Sequence, residues 1–276
     1  MTNMQSPTPP LLTSFSNPRV RAAIALRGRR HRDETGLTLI DGTRELRRAL
    51  EAGIDVVEAF ICESVLGGPD ARAAFDHLTA GPAVVHSTSE PVMSKLAFGE
   101  RSDGLVAVVR IPITRLDDLT VADDALVVVV EGVEKPGNLG AVVRSADGAG
   151  ADAVVAAAPL ADLFNPNTIR ASAGTVFTVP IAAAPSSDVL TWLRAHAFRV
   201  VAAKVEAGTS YVDVDLTGRV AIVLGAEAPG LTGLWDAPDI DAVRLPMLGI
   251  ADSLNVSVTG AVLLYEARRQ RDLSPT

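Results

Sequence analysis

The chain has 276 residues, of which 48% are hydrophobic and 21% are charged, and its formal net charge at pH 7 is −8. This composition excludes an intrinsically disordered chain, and the length suits two domains. The acidic balance argues weakly against a nucleic-acid-binding protein, although the distribution of the charges decides more than their sum.

Cysteine and histidine usage limits the kinds of site that the chain can form. Cys62 is the only cysteine, which excludes an internal disulfide and a cysteine-rich zinc cluster. The four histidines are scattered without ligand spacing, so we predict that no metal is bound. No apolar run reaches the roughly twenty residues that span a membrane, and the N-terminus lacks the pattern of a signal peptide. We therefore expect a cytoplasmic protein without a membrane partner.

The N-terminal region divides into a polar tail and an arginine-rich segment. Residues 1–16 predict a disordered tail, and nine arginines with few acids follow between residues 19 and 48. Such a run can be the solvated face of a helix, but arginine also suits the recognition of phosphates and base edges better than lysine does. We predict RNA contacts for five of these side chains: Arg27, Arg29, Arg30, Arg32 and Arg44.

Strand and helix patterns alternate over residues 17–110, which predict a small α/β domain. Its first predicted elements are a strand at 37–40, a helix capped by Thr43 and ended by Gly53, and a strand at 56–62. Residues 111–122 contain a proline and an acidic cluster and indicate a linker.

Residues 123–276 predict a second α/β domain with a mostly parallel sheet. Its first strand, at 126–130, is a near-continuous apolar run, as expected for a strand that is buried on both faces. A loop at 132–140 and a helix from about 139 to 148 follow. The remaining predicted elements are strands at 153–157, 176–179, 199–203, 220–224 and 242–245, and helices at about 188–196 and 254–271.

A strand, a glycine-containing loop and a helix in succession also suggest a dinucleotide-binding fold. The segment EGVEKPGNLGAVVRSADGAG lacks the G-x-G-x-x-G spacing, and no tight glycine turn follows the strand directly. A nucleotide-dependent oxidoreductase is therefore a weaker alternative.

Three segments that follow predicted strands carry a notable set of polar residues. NLGAVVR contains Asn138 and Arg144, and AIVLGAEAPGL contains Glu227. LPMLGIADSLNVSV places Asp252, Ser253 and Asn255 at the mouth of the last helix. A turn or a helix cap explains any one of these residues but not the whole set. Since open α/β sheets bind ligands at the carboxyl ends of their strands, we expect the three segments to form one site.

In this order and spacing, the segments resemble the three motifs of the SpoU/TrmH branch of the SPOUT RNA 2′-O-ribose methyltransferases. The third, LPMLGIADSLNVSVTGAVLLYEA, is the most specific, and the likeness runs over roughly the last 155 residues. The segment NPRVRAAIALRGRRHRDETGLTLIDGTRELRRAL is similar to the ribosomal-protein-like substrate-binding domain of many rRNA-modifying members. The resemblance implies a parallel-sheet α/β domain with a deep C-terminal trefoil knot, a homodimer, S-adenosylmethionine as the cofactor, and methylation of a ribose 2′-hydroxyl in RNA.

The resemblance also implies roles for individual residues. Arg144 matches the family's key arginine, and we expect it to hold the target phosphate and hydroxyl, because a guanidinium with a pKa above about 12 is a poor base. The residues expected to orient Arg144 and the substrate are Asn138, Glu227, Ser253 and Asn255. Those expected to contact the cofactor are Ala203, Gly225, Ala226, Glu227, Leu245, Met247 and Leu254. Arg170 matches an arginine that contacts RNA or the partner subunit in relatives, with a plain surface role as the alternative.

The N-terminal domain favours large-subunit (23S) rRNA as the substrate. Some relatives with this layout protect ribosomes against antibiotics, so resistance is one possible outcome of the reaction. The alternatives are a tRNA 2′-O-methyltransferase and a non-catalytic RNA-binding assembly factor, and the intact polar residues argue against the latter. One departure concerns the second segment, where family loops usually carry glycine and this chain has Ala228 and Pro229. Pro229 removes a backbone donor, which leaves the cofactor contacts of this loop open.

Overall fold

The computed structural model describes residues 10–97, 103–226 and 230–273. The chain divides into two compact units, with the boundary between Pro112 and Ile113. Within these ranges, no helix has both the length and the apolar character that a membrane crossing requires.

The first unit contains a four-stranded sheet. Its strands are β1 (Leu37–Asp41), β2 (Val56–Ile61), β3 (Val84–Ser87) and β4 (Leu105–Arg110), and its helices are α1 (Pro18–Ala25), α2 (Arg29–Thr35), α3 (Thr43–Glu51), α4 (Gly68–Ala80) and α5 (Glu90–Leu96). The strand order is β1-β4-β2-β3, in which β4 is antiparallel to both neighbours and β2 is parallel to β3. Apolar side chains of α1, α5 and the sheet form the core, among them Val20, Leu39, Phe60 and Met93.

The beginning of the described chain differs from the sequence prediction. Residues 1–9 of the predicted disordered tail lie outside the described residues, but Leu12 pairs with Thr88, at the end of β3. The Leu12 N–H donates to the Ser87 carbonyl at 2.8 Å, and the Ser89 N–H donates to the Leu12 carbonyl at 3.0 Å. The predicted tail boundary at residue 16 is therefore wrong, because two backbone hydrogen bonds fix the chain four residues earlier. A second correction is small: Gly42, not Thr43, is the N-cap of α3.

Two arginines that were predicted to contact RNA support the fold of the first unit. Arg32 is only 1% exposed, and its Nη1 donates to the carbonyls of Leu26 and Arg27 at 2.7 and 2.8 Å. The prediction is wrong for Arg32, because RNA cannot reach a buried guanidinium.

The Arg27 guanidinium is hydrogen-bonded to the C-terminal end of α5. Its Nη2 donates to three successive carbonyls, those of Lys95, Leu96 and Ala97, at 2.7, 3.1 and 2.8 Å. Burial lowers the pKa of Arg27, and the charge of Asp41 partly offsets that shift. These bonds satisfy carbonyls that a helix leaves unpaired at its C-terminus, so this half-buried arginine has a structural role. Its RNA contact stays a prediction.

The second unit contains a seven-stranded sheet in which every pair of neighbouring strands is parallel. Its strands are β5 (Leu126–Glu131), β6 (Ala153–Ala157), β7 (Ile181–Ala184), β8 (Arg199–Ala203), β9 (Thr209–Ser210), β10 (Val220–Leu224) and β11 (Ile240–Arg244), and its helices are α6 (Pro136–Ala149), α7 (Pro166–Ala171), α8 (Ser186–Ala195) and α9 (Val256–Leu273). The order is β7-β6-β5-β10-β8-β11-β9. The central strands are buried along their whole length, which explains their continuous apolar runs.

Two glycines allow helices of the second unit to pack closely. A Cβ at Gly140 of α6 would lie 2.5 Å from the Thr168 carbonyl oxygen of α7, and one at Gly260 of α9 would lie 2.8 Å from the Leu224 side chain of β10. A larger residue at Gly140 would force α6 and α7 apart, whereas one at Gly260 would require the Leu224 side chain to move. Close packing therefore holds α6 against α7 and α9 against β10.

The predicted strands at 153–157, 199–203 and 220–224 are confirmed, but the strand predicted at 176–179 is wrong. Thr175–Phe177 is a short 3₁₀ helix, and the strand of this region is β7. The predicted loop at 132–140 is also wrong in its second half, because α6 begins at Pro136, a residue that suits the first turn of a helix.

Candidate functional site

A cavity of about 510 Å³ lies at the carboxyl edge of the sheet in the second unit. The adjacent strands β10, β8 and β11 run into the loops that form its walls. Seven of its lining residues were predicted from the sequence: Ala203, Gly225, Ala226, Leu245, Met247, Ser253 and Leu254. The volume is within the roughly 300–1,000 Å³ that is usual for small-molecule sites.

The loop after β10 turns sharply at the cavity wall. A Cβ at Gly225 would lie 2.5 Å from both the carbonyl carbon of Gly230 and the nitrogen of Leu231, so the backbone approaches itself where only glycine fits. Gly230 has a φ of +83°, which also favours glycine. Glu227, for which two roles were predicted, lies outside the described residues, as do Ala228 and Pro229.

The first and third sequence segments meet beside the cavity. The Asn255 side-chain amide donates to Oδ1 of Asn138 at 3.2 Å, although the two residues are 117 positions apart. Asn255 also accepts, at Oδ1, hydrogen bonds from the Ser257 N–H at 2.9 Å and the Ser257 hydroxyl at 2.6 Å. It thereby caps α9, which begins at Val256 and not at the predicted residue 254. Asn255 stands between Leu254 and Val256, both of which line the cavity.

Three charged residues of the cavity wall were missed by the sequence analysis: Lys204, Glu206 and Asp236. Asp252, which the third sequence segment contains, lines the cavity as well. The Lys204 ammonium donates to the Trp235 carbonyl at 2.9 Å and forms an ion pair with Asp236. Three carboxylates against one ammonium favour a ligand that carries positive charge. The available signal was the position of Lys204 and Glu206 directly after the end of β8, next to Ala203.

The predicted arginines of the second unit do not line this cavity. Arg144 lies on the exposed surface of α6 and forms no hydrogen bond or ion pair with another described residue. Arg170 is exposed in the last turn of α7. Within the described ranges, no group of three or more His, Cys, Asp and Glu side chains could hold a metal ion.

Two protein-family models match the chain. The SpoU rRNA methylase family matches residues 125–265, and the MRM3-like substrate binding domain matches residues 17–107. The first match covers the whole set of strands and loops around the cavity. The second covers most of the four-stranded unit.

Individual proteins resemble the chain over larger parts of its length. A 23S rRNA (uridine(2479)-2′-O)-methyltransferase from Streptomyces viridochromogenes is 35% identical over 185 residues, which are 64% of each chain, so the match spans slightly less than two thirds of that relative. A crystal structure of an RNA 2′-O ribose methyltransferase is 43% identical, with a TM-score of 0.84 over 96% of this chain and 100% of that one. An AdoMet-bound rRNA methyltransferase from Sinorhizobium meliloti is 29% identical, with a TM-score of 0.86 over 96% and 99% of the two chains.

The chain therefore belongs to the SpoU rRNA methylase family, whose members are S-adenosylmethionine-dependent RNA 2′-O-ribose methyltransferases. This confirms the resemblance that the three sequence segments indicated. The oxidoreductase and assembly-factor alternatives have no counterpart among these matches.

Proposed function

We propose that the protein transfers a methyl group from S-adenosylmethionine to a ribose 2′-hydroxyl of 23S rRNA. The observation that carries this proposal is the cavity at the carboxyl edge of the parallel sheet, beside which Asn138 and Asn255 are hydrogen-bonded. Family membership supports the reaction, and the name of the Streptomyces relative supports the substrate. The match to a substrate-binding domain supports the rRNA assignment further.

The cavity has the chemical groups that S-adenosylmethionine requires. Leu245 and Leu254 offer apolar walls for an adenine ring, and the bend at Gly225 and Ala226 offers backbone donors and acceptors. The carboxylates of the wall suit a sulfonium, an ammonium and ribose hydroxyls. The residues present therefore fit this cofactor.

Bound S-adenosylmethionine would supply a methyl group that is already activated by the sulfonium. The side chains of the protein must then align the ribose oxygen and manage its proton. In the proposed reaction, the protein would hold the ribose oxygen against the methyl group that the bound cofactor would supply, and the hydroxyl proton would pass to a phosphate or to water. Arg144 holds the phosphate next to the target ribose. Asn138, Ser253, Asn255 and Glu227 are proposed to orient the reacting groups.

The remaining exposed arginines are proposed to hold the RNA. In the first unit, Arg29, Arg30 and Arg44 lie at the surface and pair with the neighbouring acids Asp33, Glu34 and Glu45, at 3.6, 2.7 and 2.9 Å. Arg29 and Arg30 pair with solvent-exposed acids, and exchanging such partners for phosphates costs little. Arg170 is the proposed RNA contact of the second unit. An rRNA substrate also implies a cytoplasmic location, which is part of the proposal.

Three architectural features belong to the same proposal. The proposed domains are a substrate-binding domain at 17–110, a linker at 111–122 and a methyltransferase domain at 123–276, the last with a deep trefoil knot. A homodimer is supported by Val258 and Tyr265, which lie seven positions apart on one face of α9 and are about half exposed. Leu248 and Ile250 of the preceding loop are fully exposed as well. Sedimentation of the purified protein would test the dimer.

Primer extension tests the proposed reaction. Deproteinised 23S rRNA is incubated with the protein and S-adenosylmethionine and is then reverse-transcribed at low nucleotide concentration, at which a 2′-O-methyl group arrests the polymerase. We expect one new stop that requires the cofactor. Bulk tRNA is the control substrate, and stops in tRNA alone would contradict the rRNA assignment. Binding of rRNA without methyl transfer would indicate an assembly factor. Growth of an expressing host on ribosome-targeting antibiotics tests the resistance hypothesis.

A further inference from the structure

One buried carboxylate of the second unit belongs to none of the predicted motifs. Glu131 is the last residue of β5, next to β10 in the sheet, and is 3% exposed. Burying a carboxylate is costly unless hydrogen bonds replace its water. Glu131 accepts three such bonds, from the Ser186 hydroxyl at 2.6 Å, the Thr232 N–H at 2.8 Å and the Thr232 hydroxyl at 3.0 Å.

The partners of Glu131 show which part of the molecule it holds. Thr232 directly follows Gly230 and Leu231, two residues of the cavity wall, and it precedes the 3₁₀ helix Gly233–Asp236, whose last residue also lines the cavity. Both donors of Thr232 point to the carboxylate. Ser186, the third donor, is the first residue of α8 and lies outside the cavity wall. The carboxylate therefore ties the returning end of the loop after β10 to the body of the sheet.

The ionised form of Glu131 is the one that this arrangement favours. Burial alone would raise the pKa of the Glu131 carboxyl, but the polar groups of Ser186, Thr232 and Trp235 outweigh it and lower the pKa below its usual value. An ionised carboxylate has only acceptors, which matches a site that presents three donors.

We propose that Glu131 is a positioning residue for the cofactor cavity, which it shapes through Thr232 without touching the ligand. This inference rests on the proposed function, since the ligand is taken to be S-adenosylmethionine. Gly225 fixes the outgoing end of the loop by its close approach to Gly230 and Leu231, and Glu131 fixes the returning end. With both ends held, the backbone groups of the wall keep their positions before the cofactor arrives, and binding does not have to order them.

Calorimetry with S-adenosylmethionine on the full chain tests this role. Glu131→Gln keeps the size of the side chain but offers one acceptor oxygen in place of two. We expect its Kd for the cofactor to rise about fivefold or more, while kcat at saturating cofactor stays within about twofold. Thr232→Val removes one of the two loop bonds and is expected to raise Kd about two- to threefold. Ser186→Ala removes a bond to the same carboxylate on the side of α8 and should lower the thermal midpoint without changing Kd.

Glu45→Gln is the matched control. Glu45 is also a buried carboxylate, 5% exposed, but it lies in the first unit. Glu45→Gln should lower the thermal midpoint and leave the Kd for the cofactor unchanged. A folded Glu131→Gln variant with the Kd of the unmodified protein would overturn the positioning role. If that variant fails to fold, an unchanged Kd in Thr232→Val would overturn it. Absence of cofactor binding by the unmodified protein would instead overturn the proposed function, and this inference with it.

Discussion

The side-chain amide of Asn255 donates to the side-chain oxygen of Asn138, across 117 positions of the chain. This single bond joins the start of α9 to the first turn of α6. Because Asn255 simultaneously caps α9, the same side chain contributes to helix stability and to the geometry of the proposed site.

The two roles of Asn255 can be separated by substitution. Asn255→Asp retains an acceptor for the Ser257 N–H but cannot donate to Asn138. We expect an unchanged thermal midpoint, because Asp and Asn cap helices about equally well, and a fall in methyl transfer of about tenfold or more. Asn255→Ala should lose the same activity and also about 1 kcal/mol of unfolding free energy. Equal activity of the Asp variant and the unmodified protein would exclude a role for this bond in the reaction.

Arg144 gives a sharp test of the proposed chemistry. Since Arg144 is exposed and does not line the cavity, Arg144→Ala should fold normally and bind S-adenosylmethionine with an unchanged Kd. We expect its turnover to fall by about 100-fold or more, because phosphate is no longer held. Arg144→Lys should be intermediate, since an ammonium cannot form the bidentate contact of a guanidinium. Normal turnover of the alanine variant would remove Arg144 from the mechanism.

Gly225 tests whether the shape of the loop after β10 matters for the cofactor. In Gly225→Ala the new methyl would meet backbone atoms of Gly230 and Leu231 at 2.5 Å, which forces the cavity wall to move. We expect the Kd for S-adenosylmethionine to rise about tenfold or more. Gly208→Ala is the control, because a Cβ there meets nothing within 4 Å. Calorimetry on both variants would show whether the effect is specific to the bend.

Substitutions of Arg32 and Arg30, two arginines of helix α2, should affect stability and RNA binding separately. Arg32→Met leaves the buried carbonyls of Leu26 and Arg27 without these donors and should cost about 2 kcal/mol of unfolding free energy in urea titrations. RNA affinity of the folded variant should not change. Arg30 is exposed, and its pair with Glu34 contributes at most about 0.5 kcal/mol. Arg30→Ala should therefore weaken RNA binding in filter assays while stability is retained, and the reverse pattern would contradict both assignments.

The lowered pKa of Asp215 implies that part of the unfolding free energy of the second unit is lost in acid. Hydrogen bonds from the Thr217 hydroxyl and N–H, followed by the Arg199 guanidinium, lower the pKa of Asp215 from 3.8 to about 2. A carboxylate whose pKa is lower in the folded than in the unfolded state stabilises the fold above pH 3.8, and this stabilisation is lost as the pH falls through about 2. In Asp215→Asn the unfolding free energy should depend less on pH across that window. Because Asp215 is half exposed, solvent screening keeps the difference small.

Many strands of the second unit could be predicted because a strand that is buried on both faces needs an apolar run, which is visible in the local sequence. Strands β6 and β10 are continuous apolar runs, and β8 is one after its first residue, Arg199. Such runs are typical of strands that are buried on both faces of a parallel sheet. The segment around Val176 and Phe177 is equally apolar, yet it forms a buried 3₁₀ helix. Its apolar character serves packing between helices, which no local pattern reveals.

Site residues could be predicted where they belong to a recognisable sequence segment. They could not be predicted where two side chains from distant parts of the chain pair with each other. Gly225, Leu245 and Leu254 were found because they belong to segments with a family pattern. Lys204 and Asp236 were missed because their pairing joins two loops that only the folded chain brings together. Arg32 and Arg30 show the same limit: both belong to one arginine run, and only the folded structure distinguishes the buried guanidinium from the exposed one.

The pairing of Leu12 with β3 has a practical consequence for producing this protein. Since β3 is the outer strand of its sheet, the segment around Leu12 shields part of a row of backbone groups that would otherwise be free to recruit another chain. Trimming the first sixteen residues as if they were dispensable would uncover that row and invite self-association. Purification tags are better placed so that Leu12 and the residues around it are kept.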